Sequence, residues 1–367
     1  MKIAIDARML GERGIGRYIE QLILNLEKID NTNQYYVILT KDNFDKYTPK
    51  NQNFNKIIAN FRWYSLKEQL LFPNFLNKYN FDLVHFTHFN VPILYRKPYI
   101  VTIHDLIILK FPTIKASTLS PIIYKIKKFF SKIVIKHAIK YAKSIITVSE
   151  FTKNDVISYF NLKDKYIDKI NVIYEGVTKL NTESSDNIEI LNNINRIKPY
   201  IIYVGSAYPH KNLENLCDAF KNINDLNLVL VGKKDFFYNR LEIQYKDLIN
   251  KKIFLTDYLD DNTLSLYLKN ALFYVFPSLY EGFGLPPFEA MQYGVPILSS
   301  NASCLPEILK DSAEYFNPND VKDITDAINK LKNNLIRLEE LKNIGLLFYR
   351  RYSWLDMAKK TLNIYYL

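Results

Sequence analysis

Cysteine is almost missing from this 367-residue chain. Cys217 and Cys304 are the only two, and they form neither a Cys-x-x-Cys pair nor a metal-ligand spacing. No disulfide framework can be built from them, which fits a reducing compartment. Long apolar runs are missing too: no window reaches the roughly 18 apolar residues of a membrane span. Lys2, Asp6 and Arg8 interrupt what would have to be the apolar stretch of a signal peptide. The expectation is a cytoplasmic protein. The chain has no Asp-x-Asp triplet and no recognised nucleic-acid-binding motif, so nucleic acid is disfavoured as a partner.

What is present points to two folded halves. At 367 residues the chain exceeds one ordinary core, and its hydrophobic fraction of 48% supplies apolar surface to bury. The formal charge of +11 is uneven. Residues 1–180 hold 28 Lys+Arg against 15 Asp+Glu, and the remainder holds 21 against 23. That asymmetry suggests an anionic partner for the first half, such as a membrane surface or a phosphate-bearing substrate.

Short apolar runs alternate with longer helical patterns. Lys2–Ile5, Tyr35–Thr40, Asp82–Phe86, Tyr99–Ile103 and Ser144–Val148 read as strands. A helix is expected from about Ile15 to Lys28, with Ile19, Leu22, Ile23 and Leu26 on one face. Residues 178–199, polar and without a clear period, read as a linker and lead-in to a second domain. The alternation restarts at Tyr200–Val204, Leu226–Val231, Phe273–Phe276 and Pro296–Ser299. Leu338, Leu341, Ile344 and Leu347, spaced three apart, predict a C-terminal helical region. The expected organisation is α/β: two Rossmann-like, doubly wound parallel-sheet domains facing a cleft. They would span residues 1–177 and 200–345, with residues 346–367 packing back on the first. Ligands in such sheets sit at the carboxyl ends of strands, so the chemistry is sought there.

Ser278-Leu279-Tyr280-Glu281-Gly282-Phe283-Gly284-Leu285-Pro286-Pro287-Phe288-Glu289 follows an apolar strand and leads into a helix. Gly282 and Gly284 let backbone approach a ligand. A carboxylate at Glu281 can accept hydrogen bonds from sugar hydroxyls, and one at Glu289, on the helix, can take both hydroxyls of a ribose. Read alone, the pair is also two solvated glutamates on a turn. Lys211, in the turn after Tyr200–Val204, can pair with a diphosphate or be a surface lysine.

Together these segments resemble the retaining family-4 glycosyltransferases of the GT-B fold. Glu281 and Glu289 match the family's E-x7-E signature, and Met291-Gln292-Tyr293-Gly294-Val295-Pro296 and Leu305-Pro306-Glu307 are similar to the runs that follow it. The stretch Tyr203-Val204-Gly205-Ser206-Ala207-Tyr208-Pro209-His210-Lys211-Asn212 continues the likeness upstream. The whole-chain pattern looks most like bacterial mannosyltransferases of surface-polysaccharide assembly.

The resemblance implies a nucleotide-sugar donor, GDP-mannose first, and a glycan or polyprenyl-linked oligosaccharide acceptor at the inner membrane face. It assigns catalysis to His104, Glu281 and Lys211, with His104 against the donor sugar. Donor binding falls to Gly14, Gly16, Ser206, Lys211, Glu281, Gly282, Phe283, Gly284, Leu285 and Glu289. Ser206 stands where the family often has an arginine, which shifts leaving-group stabilisation toward Lys211, backbone amides and His210. Without Asp-x-Asp, the metal-diphosphate clamp of the other large transferase fold, no metal and no cofactor are expected.

The Gly14-Ile15-Gly16 turn reads as a phosphate cradle or as an ordinary loop. Arg13 and Arg17 flank it, and His88, with His85, is placed on the acceptor side. Lys128, Lys132, Lys136 and Lys140 recur every four residues beside Phe129, Phe130, Ile133 and Val134. That stripe reads either as a contact with an anionic membrane or as a solvated helix face. Two rival readings remain open, a sugar-nucleotide epimerase on the same fold and a non-enzymatic basic membrane-binding protein.

Overall fold

The apolar runs are parallel strands. The computed structural model describes residues 1–111, 121–180 and 187–367. Strands β1 (Lys2–Asp6), β2 (Gln34–Leu39), β3 (Phe54–Ile58), β4 (Leu83–Phe86), β5 (Tyr99–Ile103), β6 (Ser144–Thr147) and β7 (Ile170–Val172) form one sheet. Its order is β3-β2-β1-β4-β5-β6-β7. A second sheet contains β8 (Tyr200–Val204), β9 (Asn227–Val231), β10 (Ile253–Thr256), β11 (Tyr274–Phe276), β12 (Ile297–Ser300) and β13 (Glu314–Phe316). Its order is β10-β9-β8-β11-β12-β13. Every pairing between these strands is parallel. Both sheets are Rossmann-like, with the order reversing between β1 and β4 in the first and between β8 and β11 in the second.

Helix-covered parallel strands are buried on both faces, so they read as continuous apolar runs rather than alternating ones. Strands β4, β5 and β6 are buried along their whole length. Four strands not expected from the sequence, β3, β7, β10 and β13, are the outermost strands of the two sheets. Each leaves at least two residues half-buried or exposed, so none carries the uniform apolar run of an inner strand.

The chain forms two units, Met1–Gly176 with Tyr352–Leu367, and Val177–Arg351. Of the stretch read as a linker, residues 181–186 lie outside the described residues, but Ile188–Arg196 is a helix of the second unit. Asn187 caps it by accepting from the Ile190 amide at 3.2 Å, and Ile194 is buried where the helix packs against Asp261–Asn270. Its narrow apolar stripe is hidden among asparagines and charges, which is why it reads as irregular.

The C-terminal helical region holds two helices. Leu335–Phe348 belongs to the second unit and Trp354–Tyr365 to the first. Leu338 and Leu341 are buried, but Leu347 is 71% exposed. A spacing of three drifts around a helix of 3.6 residues per turn, so Phe348 takes the buried position instead. Trp354–Tyr365 packs on Arg13–Ile29, the helix after β1. The Tyr365 hydroxyl lies 2.9 Å from His85 Nδ1, and a Cβ on Gly176 would come within 2.1 Å of the Trp354 amide nitrogen.

Candidate active site

In the second unit, the loops leaving β8 and β11 meet at the switch point. The β8 loop turns through a short 3-10 segment, Pro209–Lys211, before the helix Leu213–Ala219. Asn212 has left-handed backbone and donates its side-chain amide to the Pro318 carbonyl at 2.7 Å. The β11 loop is tied to it by the Leu279 amide, which donates to the His210 carbonyl at 2.8 Å. The two loops thus place Lys211 Nζ 2.6 Å from Glu281 Oε1. Neither side chain is sealed from solvent, with 17% and 10% exposure. The ammonium also lies 5.7 Å from the centre of the Phe276 ring.

The rest of the loop is built around Glu281. Its amide donates to Ser303 Oγ at 3.1 Å. Gly284 has a φ of +90°, which a side chain rarely adopts, and a Cβ there would press on Leu305 Cδ2 at 3.0 Å. Phe283 is core: it stacks on Phe288, and its carbonyl receives the Cys304 thiol at 3.4 Å. Gly282 is buried, and Leu285 leads into the helix Pro286–Gln292, on which Glu289 is half-buried. Tyr274, at the start of β11, donates its hydroxyl to the Val204 carbonyl at 3.1 Å. Burial pushes its phenol pKa well up, and the Glu289 and Glu281 carboxylates add to that rise. Ser206 is half-buried, and its carbonyl accepts from the Tyr203 hydroxyl at 2.8 Å. Burial and then the Lys211 charge bring His210 down to about 4, so it is a neutral imidazole.

In the first unit, His104 follows β5 and is 7% exposed. Its Nδ1 lies 3.1 Å from Glu175 Oε1 and its Nε2 lies 3.0 Å from the Thr87 carbonyl oxygen. A carbonyl accepts only, so Nε2 carries a proton, and a carboxylate calls for a second on Nδ1. Burial opposes that charge, but Glu175 and the Thr87 carbonyl outweigh it and the pKa is raised. The ring edge-packs on Tyr18 at 4.7 Å. Both ring nitrogens of His104 are therefore engaged, and its surroundings favour the protonated form.

His85 is fully buried, its Nε2 2.9 Å from Thr102 Oγ1, and it lines no surface. The sequence placed it on an acceptor side; the structure makes it a core residue that ties down the C-terminal helix. His88 is half-buried beside Tyr64 and Phe89. Gly14 and Gly16 lie in the first turn of Arg13–Ile29, with Arg13 exposed and Arg17 half-buried. A Cβ on Gly16 would meet the Gly11 backbone nitrogen at 2.7 Å, whereas one on Gly14 would meet nothing within 4 Å. Gly16 serves packing of the loop on the helix, and only Gly14 leaves open space. On the helix Pro121–Tyr141, Lys132, Lys136 and Lys140 are exposed, Lys128 is half-buried, and Val134 turns inward.

Comparison with known proteins matches both units. Residues 13–179 fit the model described as Glycosyltransferase Family 4, and residues 185–346 fit Glycosyl transferases group 1. The chain belongs to the family-4 glycosyltransferases. It is 27% identical to the O-antigen chain mannosyltransferase RfbU of Salmonella typhimurium, covering 89% of this chain and 84% of that protein. It is also 27% identical to O-antigen chain mannosyltransferase B of Escherichia coli, over 96% and 95% of the two chains. Among solved structures, sucrose-phosphate synthase from Thermosynechococcus elongatus superposes with a TM-score of 0.74 at 18% identity, over 100% and 98% of the chains. Anabaena HepE in complex with UDP and glucose gives 0.74 at 14%, over 100% and 99%. The glycosyltransferase thus has the GT-B fold.

The sequence led to Lys211, Glu281, Glu289 and His104, but three partners escaped it. Glu175 and Thr87 lie 71 and 17 residues from His104. Tyr274 was read only as part of a strand. No local pattern marks such residues; the one available signal was that each stands at or just beyond a strand end.

Proposed function

We propose that this glycosyltransferase moves a mannosyl group from GDP-mannose to a growing glycan in surface-polysaccharide assembly, with retention and without a metal. The observation that carries the reading is the Lys211–Glu281 pair at the switch point of the second sheet. The names of the O-antigen relatives support the sugar and the setting.

The pair is a charge-balanced site that an incoming donor reorganises. A diphosphate competes for the ammonium, and the Glu281 carboxylate, relieved of its partner, accepts hydrogen bonds from the sugar hydroxyls. As the glycosidic bond breaks, negative charge builds on the β-phosphate, and Lys211 stabilises it without the metal that Asp-x-Asp enzymes use. Neutral His210 adds a hydrogen bond but no charge. Glu289 takes the ribose hydroxyls. His104 meets a sugar hydroxyl by exchanging one of its present acceptors.

The acceptor is a polyprenyl-linked oligosaccharide, and the enzyme reaches it as a peripheral protein of an anionic membrane. Ile126, Phe129, Phe130 and Ile133 are 40–62% exposed on Pro121–Tyr141 among its lysines, an arrangement that suits insertion at a lipid headgroup layer. No helix among the described residues is long and apolar enough to cross a membrane.

A thermal-shift series against GDP-mannose, UDP-glucose, UDP-N-acetylglucosamine and dTDP-rhamnose, with and without EDTA, tests the donor assignment. Stabilisation by GDP-mannose that EDTA leaves unchanged is the expected result. A shift with another nucleotide sugar replaces the donor, and a shift abolished by EDTA overturns the metal-free mechanism. Flotation with vesicles containing anionic lipid tests the membrane contact; equal recovery with neutral vesicles removes it.

A further inference from the structure

The first sheet has its own charged cluster at the switch point, and the reading above makes no use of it. Arg8, two residues past β1, is 3% exposed. Its Nε donates to Asp6 Oδ1 at 2.8 Å and its Nη2 to Asp6 Oδ2 at 2.7 Å. The same Nη2 lies 2.7 Å from Oε1 of Glu68, which is fully buried on the helix Leu66–Lys78. The guanidinium stacks 4.0 Å from the centre of the Phe72 ring. As a device for stability such a cluster is poor, because well-packed apolar residues of similar volume serve a core equally well.

What the cluster holds is the turn after β3. Arg8 Nη1 donates to the Phe61 carbonyl at 3.0 Å, and the Tyr64 amide donates to Glu68 Oε2 at 2.8 Å. Tyr64 has a φ of +61°, an uncommon conformation for a bulky residue. Between these two anchors stand Arg62, exposed, and Trp63, half-buried. Buried charges fix a strained turn, and the turn presents an indole at the surface.

Trp63 and Arg62 line a cavity of about 430 Å³ together with Glu12, Asp42, Lys46 and Asn60. The size falls within the ~300–1,000 Å³ of small-molecule sites. Lys46 Nζ lies only 2.5 Å from where a Cβ on Gly11 would stand, so the bare Gly11 backbone, with φ +91°, makes room for it. Among the described residues, no ion pair joins Glu12, Asp42, Lys46 or Arg62. Arg8 also lines the cavity but is already paired with Asp6 and Glu68; the other two cations and two carboxylates balance, which argues for an uncharged ligand over an anion. The two carboxylates accept from sugar hydroxyls, and the cations and Asn60 donate to hydroxyl and ring oxygens. The indole face packs on the C–H face of a pyranose, as aromatic rings pack on any apolar face.

We propose that this cavity is a saccharide subsite, stacking on Trp63 a sugar ring of the acceptor that takes no part in the reaction. Its role as an acceptor subsite rests on the transferase reading; its binding of saccharide does not. Trp63 and Trp354 are the only tryptophans, and Trp354 is buried, so a ligand that contacts an indole in this cavity changes the emission of Trp63.

The test is a fluorescence titration with methyl α-D-mannopyranoside, α-linked mannobioses and mannotriose, with sorbitol and inorganic phosphate as controls. A saturable change with the saccharides is expected, tighter for the longer ones. Asp42→Asn, at an exposed position, should weaken it about tenfold while the unfolding midpoint stays put. In a transfer assay Trp63→Ala should raise the acceptor KM about tenfold and leave kcat within about twofold. A titration without change for any saccharide overturns the proposal, as does a response to phosphate alone. Saccharide binding by a protein that transfers no sugar from any donor would leave the subsite standing and remove the transferase reading instead.

Discussion

The two sheets place charge at the same topological position and use it in opposite ways. At the first switch point Arg8 and Glu68 are buried, at 3% and 0% side-chain exposure, and Asp6 completes a three-member network with both carboxylates on one guanidinium. At the second, Lys211 and Glu281 form a single pair that a ligand can reach. A buried network resists rearrangement, because losing one member strands the others in a low-dielectric interior. A partly exposed pair rearranges at low cost, since water and ligand oxygens can replace either partner. The first is scaffold; the second is a site in waiting.

The sharpest way to break that contrast is Arg8→Met. It leaves two buried carboxylates without a cation and should cost about 3–5 kcal/mol of stability, read as a shift in urea midpoint. A loss under ~1 kcal/mol would mean that the cluster is not buried as a unit. Glu281→Gln should show the reverse pattern. Transfer should fall by about 10²–10³-fold, as when a group acting on the transition state is removed, while the urea midpoint moves little. Near-normal turnover in Glu281→Gln removes the pair from the donor site.

A finer contrast lies on adjacent strands, in His85 and His104. Burial, with the nearby His104 charge, lowers His85 to about 3. The unfolded histidine protonates near its ordinary value while the folded one does not, so this contribution is lost as pH falls below that value. His104 is raised instead, so its contribution is complete below the ordinary value and disappears as pH rises through the folded one. Stability should pass through a maximum near neutrality. His85→Gln should flatten the acid limb of urea midpoint against pH, and Glu175→Gln the alkaline limb. If both variants change the same limb, the opposed charges are wrong.

The smallest expected effect separates packing from binding in the first turn of Arg13–Ile29. Gly14→Ala has room and removes a helical glycine, so it should stabilise by up to ~1 kcal/mol. If donor affinity drops with it, the open space beside Gly14 is used by ligand. If affinity holds, the turn is no phosphate cradle.

How far the sequence reached follows from the range of each interaction. Glu281 and Glu289 lie in one segment whose glycines and prolines mark it, and Lys211 lies in another, so the second unit's site was legible. Inner strands were legible because burial on both faces makes them uniformly apolar. The four edge strands were not, since half-exposure mixes polar residues into them. Arg8 and Glu68 look like ordinary surface charges along the chain and become a cluster only when Arg8 on the β1 loop meets a helix 60 residues on. Glu175 is hidden in the same way. Nothing beside it in sequence says that it will face His104.

The return of Trp354–Tyr365 to the first unit carries a further consequence, for synthesis on the ribosome. The Arg13–Ile29 face and His85 wait for a helix that follows the whole of residues 177–351. At about 5–20 residues per second that interval lasts roughly 10–35 s. The second unit, contiguous in the chain, can finish folding while the first is still open. The nascent protein therefore completes its later half before its earlier one.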